Sequence, residues 1–183
     1  MDQDTIQLWG IIGTWVAGIG TVSAVIVSLW LAYHQGKVKL KVYAGHRLII
    51  TSGSSSRPEY CSIRVVNVGN RPANVTSVGW EAGWFKNKKH FVQVFGTPGF
   101  DDVPKVLHEG QEANFMVPLR LEGNDEDWIV RFPKSLAGES GHVSYIKRLK
   151  VVVGTSVGQM FRIRVENNLV EKLLESYEAN KAN

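Results

Sequence analysis

The sequence predicts a mainly β protein: one long N-terminal helix, a domain of short strands, and a short C-terminal helix. Three observations carry this. Residues 6–33 run without one Asp, Glu, Lys or Arg. From Lys37 onward, apolar and polar residues alternate at a period of two, in short runs divided by Gly, Pro, Ser and Asn. Beyond Val165 the period becomes helical again.

The first stretch is long enough to span a bilayer, since about 20 helical residues at about 1.5 Å each cross the hydrocarbon core. Trp9 lies near one end, and Trp30 and Tyr33 near the other. Their separation, roughly 32–36 Å of helix, places the three rings at the two interfaces. A cleaved signal peptide would need a basic start and a small-residue cleavage site. The chain instead opens Met1-Asp2-Gln3-Asp4, and Leu31-Ala32-Tyr33-His34-Gln35-Gly36 offers no such site. Residues 6–33 are therefore predicted as a transmembrane helix, preceded by a short extracytoplasmic tail at residues 1–5.

No Lys or Arg precedes the span, whereas Lys37, Lys39, Lys41 and Arg47 follow it. Basic flanks stay on the cytoplasmic side, so the expected topology is N-terminus outside and C-terminal domain inside. Beyond the span lie all 21 Lys and Arg and 15 of the 17 Asp and Glu, a net charge of +6. Lys37, Lys39 and Lys41 belong at the membrane interface, where each cation gains about 1 kcal/mol from anionic lipid. The single cysteine, Cys61, suits a reducing compartment. Small residues recur every fourth position in the span: Gly13, Ala17 and Thr21 on one stripe, Gly20, Ala24 and Ser28 on another. Such stripes let helix backbones approach closely, which predicts self-association or pairing with another membrane helix.

Strands are expected at residues 38–42, 48–51, 60–68, 75–80, 90–95, 113–121, 128–132, 143–153 and 160–165. Turn-forming clusters separate them, including the Ser-rich tract Ser52-Gly53-Ser54-Ser55-Ser56. Short strands at this spacing predict a sandwich or barrel rather than a βαβ fold. Residues 37–166, about 130 in all, suffice for one such domain with its own core. Residues 168–179 are predicted to be helical. Asn168 and Glu171 match a capping box. Leu169, Leu173 and Tyr177 share a stripe beside Val170 and Leu174, with Glu171, Glu175 and Glu178 opposite. That stripe predicts a helix packed on the sheets rather than a docking helix for a partner.

Two segments carry a resemblance. One is Val65-Val66-Asn67-Val68-Gly69-Asn70-Arg71-Pro72-Ala73-Asn74-Val75-Thr76; the other is Leu107-His108-Glu109-Gly110-Gln111 leading into Ala113-Asn114-Phe115. They resemble the strand–turn–strand segment and the "Leu-x-x-Gly" turn of small bacterial single-pass membrane proteins carrying an immunoglobulin-like β-sandwich. The resemblance covers about two-thirds of the chain. It implies a fold with no activity attached. With Cys61 alone, the Cys…Trp…Cys pattern of antibody domains is absent.

No constellation of catalytic type is visible. His34, His46, His90, His108 and His142 stand at no metal-ligand spacing with one another or with Cys61. Gly138-Glu139-Ser140-Gly141-His142 lacks the final Gly of a nucleophile elbow. No phosphate-binding Gly-rich loop opens a helix, and the acidic clusters Asp101-Asp102 and Glu122/Asp125/Glu126/Asp127 match no calcium loop. Neither metal nor cofactor is expected. The densest basic run, Lys86-Asn87-Lys88-Lys89-His90, is flanked by Trp84, Phe85 and Phe91. Trp84, Lys86, Lys88 and Lys89 are therefore the candidate contact loop, with cations for phosphate and rings for stacking or insertion.

The sequence thus predicts a single-pass, non-enzymatic binding or interaction protein that presents its β domain to the cytoplasm. Its expected partners are the bilayer and either another protein or a second copy through the helix; nucleic acid is not expected. The alternative is a membrane effector of bacterial or phage conflict, in which the β domain senses a ligand and the helices oligomerise to perturb the bilayer. A membrane-tethered enzyme ranks third.

Overall fold

The computed structural model of the chain describes residues 3–50, 57–84, 87–120, 127–138 and 142–181. The chain divides into two units, Met1–Lys37 and Val38–Asn183.

The first unit is one helix, α1 (Gln3–Gln35). Its stretch Gln7–Tyr33 is 27 residues long, has a mean hydropathy of 1.9, and is 0% buried. Among the described residues it is the one helix long and apolar enough to cross a membrane. Its apolar side chains are exposed all round, from Leu8 and Trp9 to Leu31 and Tyr33, so it has no polar face to turn to water. Three of its hydroxyl side chains are satisfied within the helix. Thr14, Thr21 and Ser28 donate to the carbonyls of Gly10, Ala17 and Ala24 at 2.8–2.9 Å.

The second unit holds eight described strands in two antiparallel sheets: β1 (Leu40–Leu48), β2 (Glu59–Asn67), β3 (Ala73–Ala82), β4 (Lys89–Val92), β5 (Lys105–Leu107), β6 (Glu112–Pro118), β7 (Lys150–Thr155) and β8 (Met160–Arg164). The first sheet runs β1-β2-β6; the second runs β4-β3-β7-β8, with β5 also on β3. Its described residues also hold three helices: α2 (Trp128–Ala137), α3 (Ser144–Lys147) and α4 (Asn167–Lys181).

Alternation builds the core. In the first sheet Val42 lies across from Val65 and Val65 across from Ala113; Ala44, Ile63 and Phe115 form the next row. All six are buried, while Tyr43, Arg64 and Glu112 take the outer phase. In β3 the phase changes. Ala73 and Val75 are buried, and so are Val78, Trp80 and Ala82. A register shift between Val75 and Ser77 inserts one residue and returns both halves to the same face. Trp80 ends up among Trp128 and Phe132 of α2, with ring centroids 6.0 and 5.3 Å away. Cys61 is fully buried opposite Val117, and burial pushes its thiol far up from its usual range.

Several elements depart from the sequence expectation. The run 128–132 is not a strand but the first half of α2. Ile129, Phe132, Pro133, Leu136 and Ala137 are its buried residues, at the spacing of one helical face. A five-residue window sees only an apolar run, which cannot separate strand from buried helix. Pro133 removes the amide that would reach the Ile129 carbonyl. The Ser176 hydroxyl of α4 takes that acceptor instead, at 2.9 Å. Ser176→Ala is expected to orphan the carbonyl and cost about 1 kcal/mol; an unchanged denaturation midpoint would contradict this.

The run 143–153 begins with α3, whose Ile146 is buried, and becomes strand only at Lys150. Residues 40–42 and 48, expected in two separate strands, belong to one, β1. Gly45 lies inside it, where a Cβ would strike the Glu166 carboxylate. Glu166 is held by a bidentate pair with Arg47, both bonds 2.8 Å. β5 was not expected; its three residues are too short to show a period.

α4 begins at Asn167, and Asn168 is not its capping box. The Asn168 amide instead bridges the backbone of His46 in β1, accepting from the N–H and donating to the carbonyl, each at 3.2 Å. The N–H groups of Leu169 and Val170 run to the Glu166 carbonyl. The expected stripe is the packed one: Leu169 and Leu173 are 0% exposed, with Val170, Leu174 and Tyr177 against the core. The Ser-rich tract 52–56, Ser140, and Glu122, Asp125 and Glu126 lie outside the described residues.

Candidate functional site

The outward phase of the second sheet gathers positive charge. The register puts Glu81 of β3 across from Lys150 of β7, and Lys150 across from Arg164 of β8. Arg162 sits two residues from Arg164, on the same face. Lys88 enters from the chain before β4, and Arg148 from just before β7. Gly83, Trp84, Lys88, Arg148, Lys150 and Arg164 line a groove of about 320 Å³ on this face.

Glu81 anchors the cluster. Its side chain is only 4% exposed, and it accepts from Lys88 Nζ at 3.1 Å and Arg162 Nε at 3.2 Å. Burial by itself would raise its carboxyl; the two cations outweigh that and hold it below the usual carboxylate range. Glu81 is thus ionised and fully engaged. Arg148, Lys150 and Arg164 have no carboxylate partner among the described residues. The Arg148 guanidinium instead lies 4.1 Å from the ring centre of Trp84, whose side chain is more than half exposed. Gly83 sits at φ +110°, and a Cβ there would run into the Asn87 carbonyl oxygen, so the wall beside Trp84 must be glycine.

The structure separates the predicted contact loop into different jobs. Trp84 and Lys88 line the groove. Lys89 turns away: its ammonium donates to the Ser135 and Leu136 carbonyls at the end of α2 and lies 5.0 Å from the Tyr145 ring centre. It closes a helix C-terminus. Lys86 lies outside the described residues. Arg148, Lys150, Arg162 and Arg164 were missed. Their signal is the polar phase of two strands and the register that brings them beside Glu81, which no local run reveals.

Of the other predicted residues, Trp9, Trp30 and Tyr33 are exposed on α1, and the Lys37 ammonium lies 4.2 Å from the Tyr33 ring centre. Gly13 and Gly20 face open space on the same helix, where a Cβ would meet nothing within 4 Å. Ala17 and Ala24 supply the carbonyls that Thr21 and Ser28 engage. Lys39 and Lys41 are exposed beside buried Leu40. Among the described residues no three His, Cys, Asp or Glu side chains converge on a metal position.

No family model and no curated protein matches the chain. Among solved structures, a structural-genomics target aligns with 68% of this chain and 82% of its own at 9% identity and a TM-score of 0.30. A putative ApaA protein from Bordetella pertussis aligns with 69% of this chain and 87% of its own, at 14% identity and a TM-score of 0.28. Likenesses this small carry no argument for fold or function.

Proposed function

We propose that the chain is a single-pass membrane protein whose C-terminal domain is a cytoplasmic, immunoglobulin-like β-sandwich that binds a ligand and catalyses nothing. One observation carries the reading: a 27-residue apolar helix, none of it buried, that offers water no polar face. The asymmetry of Lys and Arg about that helix supports the orientation. Strand order supports the sandwich: β1-β2-β6 against β4-β3-β7-β8 follows the A-B-E and C′-C-F-G arrangement of immunoglobulin-type folds. The helices α2 and α3 then stand between the fifth and sixth strands of that scheme. The binding surface is the cationic groove. Self-association through Gly13, Ala17 and Thr21 belongs to the same proposal. With the Thr21 hydroxyl already donated to Ala17, that contact would rest on close packing.

The test is a cysteine introduced at exposed Glu109 on a Cys61→Ala background, labelled in intact bacterial cells with an impermeant maleimide. Protection in cells with labelling after lysis, together with retention in alkali-washed membranes, is the expected result. Labelling from outside would invert the topology. Release into the alkaline wash would sink the anchor itself.

A further inference from the structure

We infer that the groove beside Trp84 binds a nucleoside phosphate, its phosphoryl group on Lys150 and Arg164 and its base against the Trp84–Arg148 pair. This rests on the reading of the domain as a binding module and names the ligand's chemistry.

Charge placement is the first argument. Lys88, Arg148, Lys150 and Arg164 line the groove and Arg162 shares its face, while the Glu81 carboxylate is spent on Lys88 and Arg162. Lys150 and Arg164 are direct neighbours across an antiparallel pair. Like charges so placed oppose folding. A cost of that kind, with the neighbouring Glu81 carboxylate bonded to Lys88 and Arg162 rather than to Lys150 or Arg164, marks a position kept for an external anion. Phosphate fits: it offers several acceptor oxygens, and a guanidinium with a nearby ammonium provides both a planar fork and a point charge.

The aromatic rim is the second argument. A site for bare phosphate has no use for an exposed indole, and the lipid arm of the test below separates a headgroup from a nucleotide. Trp84 stands at the edge of the groove, more than half exposed, with a guanidinium alongside. Every nucleobase presents a π-face to such a platform. The volume of about 320 Å³ lies at the small end of ligand sites, which run from about 300 to 1,000 Å³. It is enough for one nucleotide.

The experiment is calorimetric titration of the full chain in neutral phosphatidylcholine nanodiscs with AMP, adenosine and inorganic phosphate. AMP should bind more tightly than either fragment. Lys150→Gln with Arg164→Gln should weaken AMP by about tenfold or more, the loss expected of charge-assisted hydrogen bonds. Trp84→Leu should weaken AMP by about fivefold or more while leaving phosphate unchanged. Glu81→Gln should tighten AMP, because it releases Lys88 and Arg162 toward the ligand. An unchanged circular dichroism spectrum for each variant separates lost binding from lost fold.

Absence of AMP binding, or equal binding of adenosine, would overturn the proposal, as would an unaffected double variant. Equal affinity for phosphate and AMP would remove the base from the site. Sedimentation with phosphatidic acid vesicles that depends on Lys150 and Arg164, without AMP binding, would reassign the groove to a lipid headgroup. Because the maleimide test reads anchor and topology separately, a failed titration with Glu109 still protected condemns the ligand alone.

Discussion

Replacing Trp80 with alanine is expected to destabilise the β domain by about 4 kcal/mol, the usual cost of truncating a fully buried tryptophan. Trp80 is 1% exposed and lies near the C-terminal end of β3, with β4 on one side and β7 on the other. Its ring meets Phe132 at 5.3 Å and Trp128 at 6.0 Å, and those two stack on each other at 4.5 Å. Its indole N–H donates to Gln93 Oε1 at 3.1 Å. Truncation would therefore open a cavity between sheet and helix and leave α2 without its main contact on β3. For a domain of this size the thermal midpoint should fall by roughly 8–16 °C. Trp80→Phe separates the two contributions. It keeps most of the packing and loses the hydrogen bond, so a loss nearer 1–2 kcal/mol is expected. Denaturation of the full chain in micelles, followed by circular dichroism, measures both. A cost below about 1 kcal/mol for the alanine variant would mean that α2 does not pack on β3 as described.

How much of this was legible depends on how local each signal is. The apolar helix is written in consecutive residues, and its extent could be read directly. The strands β2, β3, β6 and β8 announce themselves by period two, with ends displaced by up to three residues. Elements whose identity depends on distant partners were read wrongly. The runs 38–42 and 48–51 read as two strands, yet residues 40–48 form one, within which the missing side chain of Gly45 makes room for Glu166, more than a hundred residues away. Trp128-Ile129-Val130-Arg131-Phe132 looks like a strand until Pro133, Leu136 and Ala137 are added to the same face. Pro133 disfavours a helix interior, and the Ser176 hydroxyl on α4 takes the carbonyl it leaves open. The groove follows the same rule. Lys88 and Trp84 sit in a visibly basic, aromatic segment; Arg148, Lys150, Arg162 and Arg164 join them only through the register of β3, β7 and β8.

The two segments that carried the family resemblance meet at one buried side chain, and removing it should have the second-largest effect. Asn67 is 0% exposed. Its Nδ2 donates to the carbonyls of Arg71 at 2.7 Å and Leu107 at 2.9 Å, and its Oδ1 accepts from the Gly69 N–H at 3.0 Å. Its backbone carbonyl accepts from Gly110 N–H, and its own N–H donates to Gln111. The Asn-x-Gly turn after β2 and the Leu-x-x-Gly turn before β6 are thus one hydrogen-bonded unit. Gly110 takes φ +73° within it, a conformation that favours glycine. Asn67→Ala would leave two carbonyls and an amide unpaired, at about 1 kcal/mol each, for a total near 3 kcal/mol. Asn67→Asp sharpens the test through its pH dependence. An ionised carboxylate at this position would face two carbonyl oxygens in a buried site, so its pKa in the folded state should rise above the unfolded value of about 3.9. A group that binds its proton more tightly when folded loses stability as pH rises through that interval. The aspartate variant should therefore approach the wild type near pH 4 and fall away from it toward pH 7, whereas the alanine variant should show a deficit independent of pH. Parallel curves for the two variants would place Asn67 outside the hydrogen-bonded unit.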